Sequence, residues 1–139
     1  MTERLATILL IEDDEVDIMN VQRAFQKNKI ENPFYIARNG IEALEMLRGE
    51  NGSEIVPQVI LLDINMPKMG GLEFLENIRA DKKLKAISVF VLTTSAQESD
   101  KEAAYNMNVA GYILKPLSFE SFLDTVSILN NYWKLCERV

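Results

Sequence analysis

Short apolar runs alternate along this chain with segments whose apolar residues recur at helical spacing. The runs occupy residues 7–11, 33–37, 59–62, 87–92 and 109–114. Each has the length of a strand, and each is followed by a stripe of apolar residues three or four positions apart, which is typical of an amphipathic helix. The alternation predicts an α/β protein in which a five-stranded parallel sheet carries helices on both faces.

The handedness of the connections limits the order of these strands. Right-handed crossovers leave few arrangements, and we favour the doubly wound, flavodoxin-like order 2-1-3-4-5. In that order strands one and three are neighbours at the point where the winding reverses. Ligands of open α/β sheets bind there, beyond the carboxyl ends of the strands, so residues that follow the first and third runs are the first candidates for a functional site.

The third run stops at a single carboxylate. Residues 59–62 (V-I-L-L) suit a strand buried on both faces, and Asp63 follows them directly. A turn marked by Pro67, Gly70 and Gly71 comes next. Burying a charge at such a position is costly unless another group pairs with it, so the other residues at the same edge decide the role of Asp63.

Other strand ends bring acidic and basic residues to the same edge. Glu12 and Asp13 follow the first run, and Thr93 follows the fourth. Carboxylates gathered in one crevice repel one another unless some are protonated or a cation joins them. The chain has no histidine, so the donors are oxygens and we expect a hard cation, Mg²⁺ before Mn²⁺ or Ca²⁺. Lys115 follows the fifth run and begins roughly 10 Å from the end of the third strand, a gap that a lysine side chain largely covers.

A dication, a hydroxyl and a lysine around one carboxylate resemble the equipment of phosphoryl transfer. Asp63 would be the nucleophile that attacks phosphorus. The metal and Lys115 would neutralise the phosphoryl oxygens, and Thr93 would donate a hydrogen bond to one of them.

Composition bounds the class of protein. The chain has 139 residues, of which 47% are apolar and 26% charged, and it is most simply a single domain spanning 1–139. A formal net charge of −6 argues against binding bare nucleic acid. The single cysteine, Cys136, cannot form an intrachain disulfide, and no apolar run approaches the length of a membrane span. We therefore expect a cytoplasmic protein with no membrane partner.

Four segments together resemble the receiver domain of two-component response regulators, the CheY-like domain. They are I-E-D-D at 11–14, L-L-D-I-N-M-P-K-M-G-G at 61–71, L-T-T-S at 92–95 and G-Y-I-L-K-P at 111–116. Their order and spacing cover essentially the whole chain, which makes the set far more specific than any one motif. L-T-T-S and the tail N-Y-W-K-L-C-E at 131–137 resemble in particular the single-domain regulators that partner bacterial phytochromes and related histidine kinases.

The resemblance implies that Asp63 is the phospho-acceptor and that the site binds Mg²⁺. Asp13 would be a direct ligand of the ion. Glu12 stands where an aspartate is commoner in the family, which favours contact through water. Asp63 itself and the backbone carbonyl of Asn65 would complete the protein ligands.

The resemblance also implies a conformational switch. Thr93 and Lys115 would bind the phosphoryl group, and Tyr112 would be the aromatic residue whose rotamer follows the position of Thr93. New charge at Asp63 would then change the face built from the fourth helix, the fifth strand and the fifth helix. The peptide bond between Lys115 and Pro116 would be cis.

The expected function is a phosphorylation switch that is not an enzyme with a separate substrate. A partner histidine kinase or histidine phosphotransfer protein would supply the phosphoryl group. With no output domain, the signal would leave through a downstream protein partner, through self-association or through onward phosphoryl transfer. The apolar stripe of the last helix continues to Leu135, which suggests some contact between two copies of the chain.

Three other functions compete on the same fold. A phosphohydrolase that forms an aspartyl-phosphate, like haloacid-dehalogenase-like enzymes, needs a second carboxylate where this chain has Asn65. A flavodoxin-like FMN carrier needs hydroxyls and glycines after the first strand, where this chain has carboxylates that repel phosphate. A pseudo-receiver, which binds partners without phosphorylation, is opposed by the intact acidic, threonine and lysine residues, and phosphorylation data decide the point.

Two helix starts carry capping signals. Ser118 is placed to cap the last helix. The start of the fourth helix is ambiguous, because Ser95-x-x-Glu98 and Ser99-x-x-Glu102 both fit a capping box.

Overall fold

A computed structural model describes residues 7–50, 52, 54–115 and 118–135 of the chain. Five strands and five helices alternate along it: β1 (Ile8–Ile11), α1 (Glu15–Lys27), β2 (Phe34–Ala37), α2 (Gly40–Arg48), β3 (Val59–Leu62), α3 (Gly71–Ala80), β4 (Ser88–Thr93), α4 (Glu98–Asn106), β5 (Gly111–Leu114) and α5 (Phe119–Leu135). All strand pairs are parallel, and their order is β2-β1-β3-β4-β5. The predicted doubly wound α/β fold is confirmed.

Two neighbouring interior strands, β1 and β3, are buried along their whole length. Their side chains point alternately into two cores, one under α2, α3 and α4 and the other under α1 and α5. Ile11 pairs with Leu62 in the sheet register, and the Asp63 N–H donates to the Ile11 carbonyl at 3.0 Å. Glu12 and Asp63 therefore leave the sheet side by side.

The last helix packs its apolar stripe into the second core. Its buried apolar residues are Phe122, Val126, Leu129 and Trp133. The indole N–H of Trp133 donates to the Asn130 side chain at 3.0 Å, so the ring is satisfied inside the core. Ser118 caps this helix by accepting the Ser121 N–H at 3.2 Å, which confirms its predicted role.

The start of α4 differs from both capping boxes. The helix begins at Glu98, and neither Ser95 nor Ser99 caps it with a side-chain hydrogen bond. The Ser95 hydroxyl instead donates to Asp100 at 2.5 Å. The capping-box prediction was wrong because Gln97 occupies the N-cap position, two residues beyond Ser95, and the Ser95 hydroxyl points to Asp100 in the first turn of the helix.

β5 is two residues shorter at its start than the apolar run that predicted it. Asn108 has a left-handed backbone with φ 61°, and the Val109 N–H still donates to the Ala104 carbonyl at 3.4 Å. Val109 therefore belongs to the end of α4 rather than to the sheet. Pro116 and Cys136 lie outside the described residues, so the cis bond expected at Pro116 stays a prediction. Among the helices described, none combines the length and apolarity that crossing a bilayer requires.

Candidate functional site

Three carboxylates meet at the carboxyl ends of β1 and β3. Glu12 and Asp63 are almost entirely buried, at 2% and 6% exposure, whereas Asp13 is exposed. One oxygen from each residue lies within 4.8 Å of the oxygens of the other two. The pairing of Ile11 with Leu62 explains this closeness, because the next residues of the two strands emerge together. We call Glu12, Asp13 and Asp63 the acidic cluster.

The acidic cluster fits a hard divalent cation. Its donors are all carboxylate oxygens, which Mg²⁺, Mn²⁺ and Ca²⁺ prefer. Burial raises the pKa of Glu12 to about 7; a hydrogen bond from Lys115 lowers this pKa, and the negative charge of Asp63 raises it. A cation among the three carboxylates would relieve both the repulsion and the burial of uncompensated charge. Asn65 lies exposed in the loop after β3, and the role of its carbonyl stays a prediction.

Lys115 reaches the acidic cluster from β5, two strands away from β3, and its hydrogen bonds go to two carboxylates other than Asp63. Its Nζ donates to Glu12 Oε1 at 2.7 Å and to Asp17 Oδ2 at 2.6 Å. The nearer oxygen of Asp63 is 3.9 Å away. Burial alone would lower the pKa of Lys115, but the hydrogen bonds and charges of these carboxylates raise it above its ordinary value.

Asp17 is the residue of this site that the sequence prediction missed. An acid in the first turn of a helix is ordinarily explained by the helix dipole, and Asp14 already caps α1 by accepting the Asp17 N–H at 3.0 Å. One signal was available. Ile18 and Val21 mark the buried face of α1, and Asp17 lies one turn before Val21 on the edge of that face.

Thr93 closes β4 and is completely buried. Its hydroxyl oxygen accepts the Ser95 N–H at 3.3 Å, and its carbonyl accepts the Lys115 N–H at 2.8 Å. The Ser95 carbonyl in turn accepts the Tyr112 hydroxyl at 2.8 Å. The Tyr112 ring lies 6.5 Å from the ring of Tyr105, which is exposed on α4. A chain of contacts therefore joins the strand-end edge to the outer surface of α4.

The strand order and the residues at the strand ends define a class of protein. Residues 8–127 match the family model described as the response regulator receiver domain. The chain belongs to this family and is a receiver domain of two-component signal transduction.

Individual relatives agree with this assignment. The chain is 40% identical over 127 residues to the probable methanogenesis regulatory protein FilR2 of Methanothrix harundinacea, covering 91% of this chain and 82% of that protein. It is 36% identical over 128 residues to the response regulator Rcp1 of Synechocystis, covering 91% and 87%.

Solved structures of relatives share the fold. The Mn²⁺-bound form of Rcp1 superposes with a TM-score of 0.85 at 33% identity, covering 96% of this chain and 98% of that one. The phosphorylated cyanobacterial phytochrome response regulator RcpA superposes with a TM-score of 0.87 at 33% identity, covering 97% and 98%. One relative has thus been seen with a divalent cation and another in a phosphorylated state.

Proposed function

We propose that Asp63 accepts a phosphoryl group from the phosphohistidine of a histidine kinase or of a histidine phosphotransfer protein. The observation that carries the proposal is the convergence on this one carboxylate. An Asp63 oxygen lies within 4.8 Å of the Glu12 and Asp13 oxygens, and Asp63 Oδ2 lies 3.9 Å from the Lys115 ammonium. Membership of the receiver family and the phosphorylated state of the relative RcpA support it.

The transfer forms one bond and breaks one. An Asp63 oxygen attacks phosphorus, the P–N bond to the donor imidazole breaks, and the imidazole leaves with the electron pair of that bond. The Lys115 ammonium faces the developing charge on the phosphoryl oxygens. The Thr93 hydroxyl accepts a hydrogen bond from Ser95 and still has its own proton to donate to a phosphoryl oxygen.

We propose Mg²⁺ as the cation of this site, held by Glu12, Asp13, Asp63 and the backbone carbonyl of Asn65. When bound, the ion supplies positive charge that offsets the charge of the carboxylates and of the phosphoryl oxygens. Asp13 is exposed and suits a direct contact. Glu12 is buried and already bonded to Lys115, which suits a contact through water.

For the signal that leaves the domain, we propose Tyr112 as the switch residue. Its hydroxyl is tied to Ser95, whose backbone N–H is tied to Thr93, so a shift of Thr93 toward a phosphoryl group alters what Tyr112 can bind. The affected face consists of α4, β5 and α5, and a downstream protein partner or a second copy of the chain would read it. We treat residues 1–139 as one receiver unit.

A phytochrome-type histidine kinase is the donor that we propose. The support is the relative RcpA, which is described as a phytochrome response regulator. A cytoplasmic setting is proposed with it, because the chain's one cysteine cannot form an intrachain disulfide.

Labelling by a small radioactive phosphodonor such as acetyl phosphate, with Mg²⁺, tests the proposal. The wild-type chain is expected to take up label, and Asp63→Asn is expected to take up none. Asp124→Asn, the same substitution at an exposed position on α5, serves as the matched control and should label like wild type. Normal labelling of Asp63→Asn refutes the assignment. An unlabelled wild-type chain is the result expected of a pseudo-receiver.

A further inference from the structure

We propose that Asp17 is a positioning residue for phosphoryl transfer, and that it acts by holding the Lys115 ammonium at the distance where it meets a phosphoryl group on Asp63. The inference rests on the proposed role of Asp63 as acceptor. Its own evidence is the 2.6 Å bond between Asp17 Oδ2 and Lys115 Nζ, which joins α1 to the residue that follows β5.

Lys115 needs such a partner. Its side chain has four rotatable bonds, and it starts from a strand that is separated from β3 by β4. A lysine without fixed acceptors loses much conformational freedom when it is ordered at one point. Asp17 supplies a fixed acceptor, because its backbone is in the capped first turn of α1 and its N–H donates to Asp14 at 3.0 Å.

The distance between Lys115 and Asp63 fits a phosphoryl group better than a direct ion pair. At 3.9 Å the Nζ atom is too far from Asp63 Oδ2 for a hydrogen bond. Two of the three ammonium protons serve Glu12 and Asp17, which leaves the third for a group in this gap. A phosphoryl oxygen lies two bonds beyond the Asp63 oxygen and would occupy the gap without displacing the lysine.

Glu12 cannot do this work alone, because it has two roles. It is hydrogen-bonded to Lys115, and it is also a member of the acidic cluster. A cation bound there, even through water, is stabilised by the same Glu12 carboxylate that Lys115 uses. Asp17 is not a member of that cluster, so it stays available to Lys115 in the state in which transfer takes place.

The charge of Asp17 and its positioning role predict opposite changes in the labelling rate of Asp17→Asn. Removing a negative charge near the site lowers the repulsion of an anionic phosphodonor, so a pure charge effect makes labelling faster. Loss of a positioning residue leaves the lysine misplaced and makes labelling slower. The sign of the change in Asp17→Asn therefore separates the two.

The test measures initial labelling rates over a range of acetyl phosphate concentrations in wild type, Asp17→Asn, Lys115→Met and the double variant. Asp17→Asn is expected to lower the maximal rate roughly fivefold at an unchanged half-saturating donor concentration. In the Lys115→Met background the same substitution should no longer lower the rate. Asp17→Glu, which keeps a carboxylate, should retain more of the rate, and Asp124→Asn should behave as wild type.

A second measurement does not depend on Mg²⁺ or on activity. Urea unfolding of the same four proteins, without metal, should show that Asp17 and Lys115 are coupled in stability, since each single substitution breaks the same ion pair. Because Asp17 is one-third exposed, the coupling should be smaller than for a fully buried pair. The inference is overturned if Asp17 and Lys115 show no coupling in stability. It is also overturned if Asp17→Asn labels as fast as wild type or faster, or if the substitution lowers the labelling rate equally in the Lys115→Met background. These results leave Asp63 as acceptor, whereas a wild-type chain that takes up no label overturns the proposed function and this inference with it.

Discussion

Glu12 and Lys115 form an ion pair of 2.7 Å whose side chains are only 3% and 13% exposed. Even with this partner, burial raises the pKa of Glu12 to about 7. Close to neutral pH the Glu12 carboxylate is therefore present in both its protonated and its charged form. Cation binding needs the charged form, which makes the site sensitive to pH.

Mg²⁺ affinity should rise with pH. A proton on Glu12 competes with the ion below pH 7, so the apparent Kd should fall about tenfold between about pH 6 and about pH 8. In the metal-free protein, stability should change with pH in the opposite direction. The stabilisation that results from the raised pKa of Glu12 is present below pH 4.5 and is lost as the pH rises through 7. Calorimetric titration measures the affinity, and Glu12→Gln should flatten its pH dependence. A wild-type affinity that stays constant over this range contradicts the account.

Gly71 is needed where the loop after β3 packs back against the acceptor residue. A Cβ at this position would lie 2.3 Å from the Asp63 carbonyl oxygen and 2.7 Å from the Ile64 Cα, and both are backbone atoms. Gly71→Ala should therefore shift Asp63, reduce the free energy of unfolding by about 2 kcal/mol or more and slow labelling. Gly70→Ala is the matched control, because its Cβ would come no nearer than 3.2 Å to the Ile64 carbonyl oxygen and 3.9 Å to the Met66 carbonyl oxygen. Equal unfolding midpoints for the two variants in urea would show that the close approach is not a constraint.

Arg79 ties three segments together at the opposite end of the sheet. Its guanidinium donates to the carbonyls of Lys85 and Ile87 at 2.8 Å and of Met107 at 2.7 Å, which joins α3 to the residues before β4 and after α4. Lysine cannot span these acceptors, so Arg79→Lys should lower the free energy of unfolding by about 2 kcal/mol.

Arg48→Lys is the control for this prediction. Arg48 contacts Asp81 at 3.6 Å near the surface, and its replacement should change stability by less than about 1 kcal/mol. Hydrogen exchange should also be faster near Met107 in the Arg79 variant. Equal stabilities of the two variants would show that the Arg79 hydrogen bonds do not stabilise the fold more than the surface contact of Arg48 does.

The contacts between Thr93, Ser95 and Tyr112 predict that a substitution can remove the response of Tyr112 without preventing the labelling of Asp63. Thr93→Val keeps the shape of the side chain but removes the hydroxyl that accepts the Ser95 N–H. Asp63 should still be labelled, although more slowly, because the acidic cluster and Lys115 remain. In wild type a phosphoryl mimic such as beryllofluoride should shift the NMR signals of the Tyr112 ring, and in Thr93→Val this shift should be lost. An unchanged shift would mean that Thr93 does not transmit the signal.

The fold and most of the site could be predicted from the sequence because the determining signals are local. Apolar runs and helical stripes define the elements, and right-handed crossovers then fix which strand ends are neighbours. Once β1 and β3 are adjacent, Glu12 and Asp63 must emerge together. The prediction that Lys115 reaches this edge from β5 needed only the spacing of strands and the length of a lysine.

The residues that were missed depend on contacts between distant elements. Asp17 is indistinguishable in sequence from an acid that favours a helix start, and only the folded arrangement, in which the Lys115 side chain extends from the end of β5 to α1, gives it Lys115 as a partner. Arg79 has the pattern of a solvated charge at a helix end, yet it bonds to carbonyls from two other segments. Ser95 fits a capping motif, but the position of Asp100 determines where its hydroxyl donates.

Locating the phosphoryl group tests the central claim most directly. After treatment with acetyl phosphate and Mg²⁺, borohydride reduction converts an aspartyl-phosphate into a stable alcohol that peptide mass spectrometry can place. The account predicts this modification at Asp63 alone, with none in protein treated without Mg²⁺. Modification at Asp13 or at any other carboxylate, with Asp63 left intact, would contradict it.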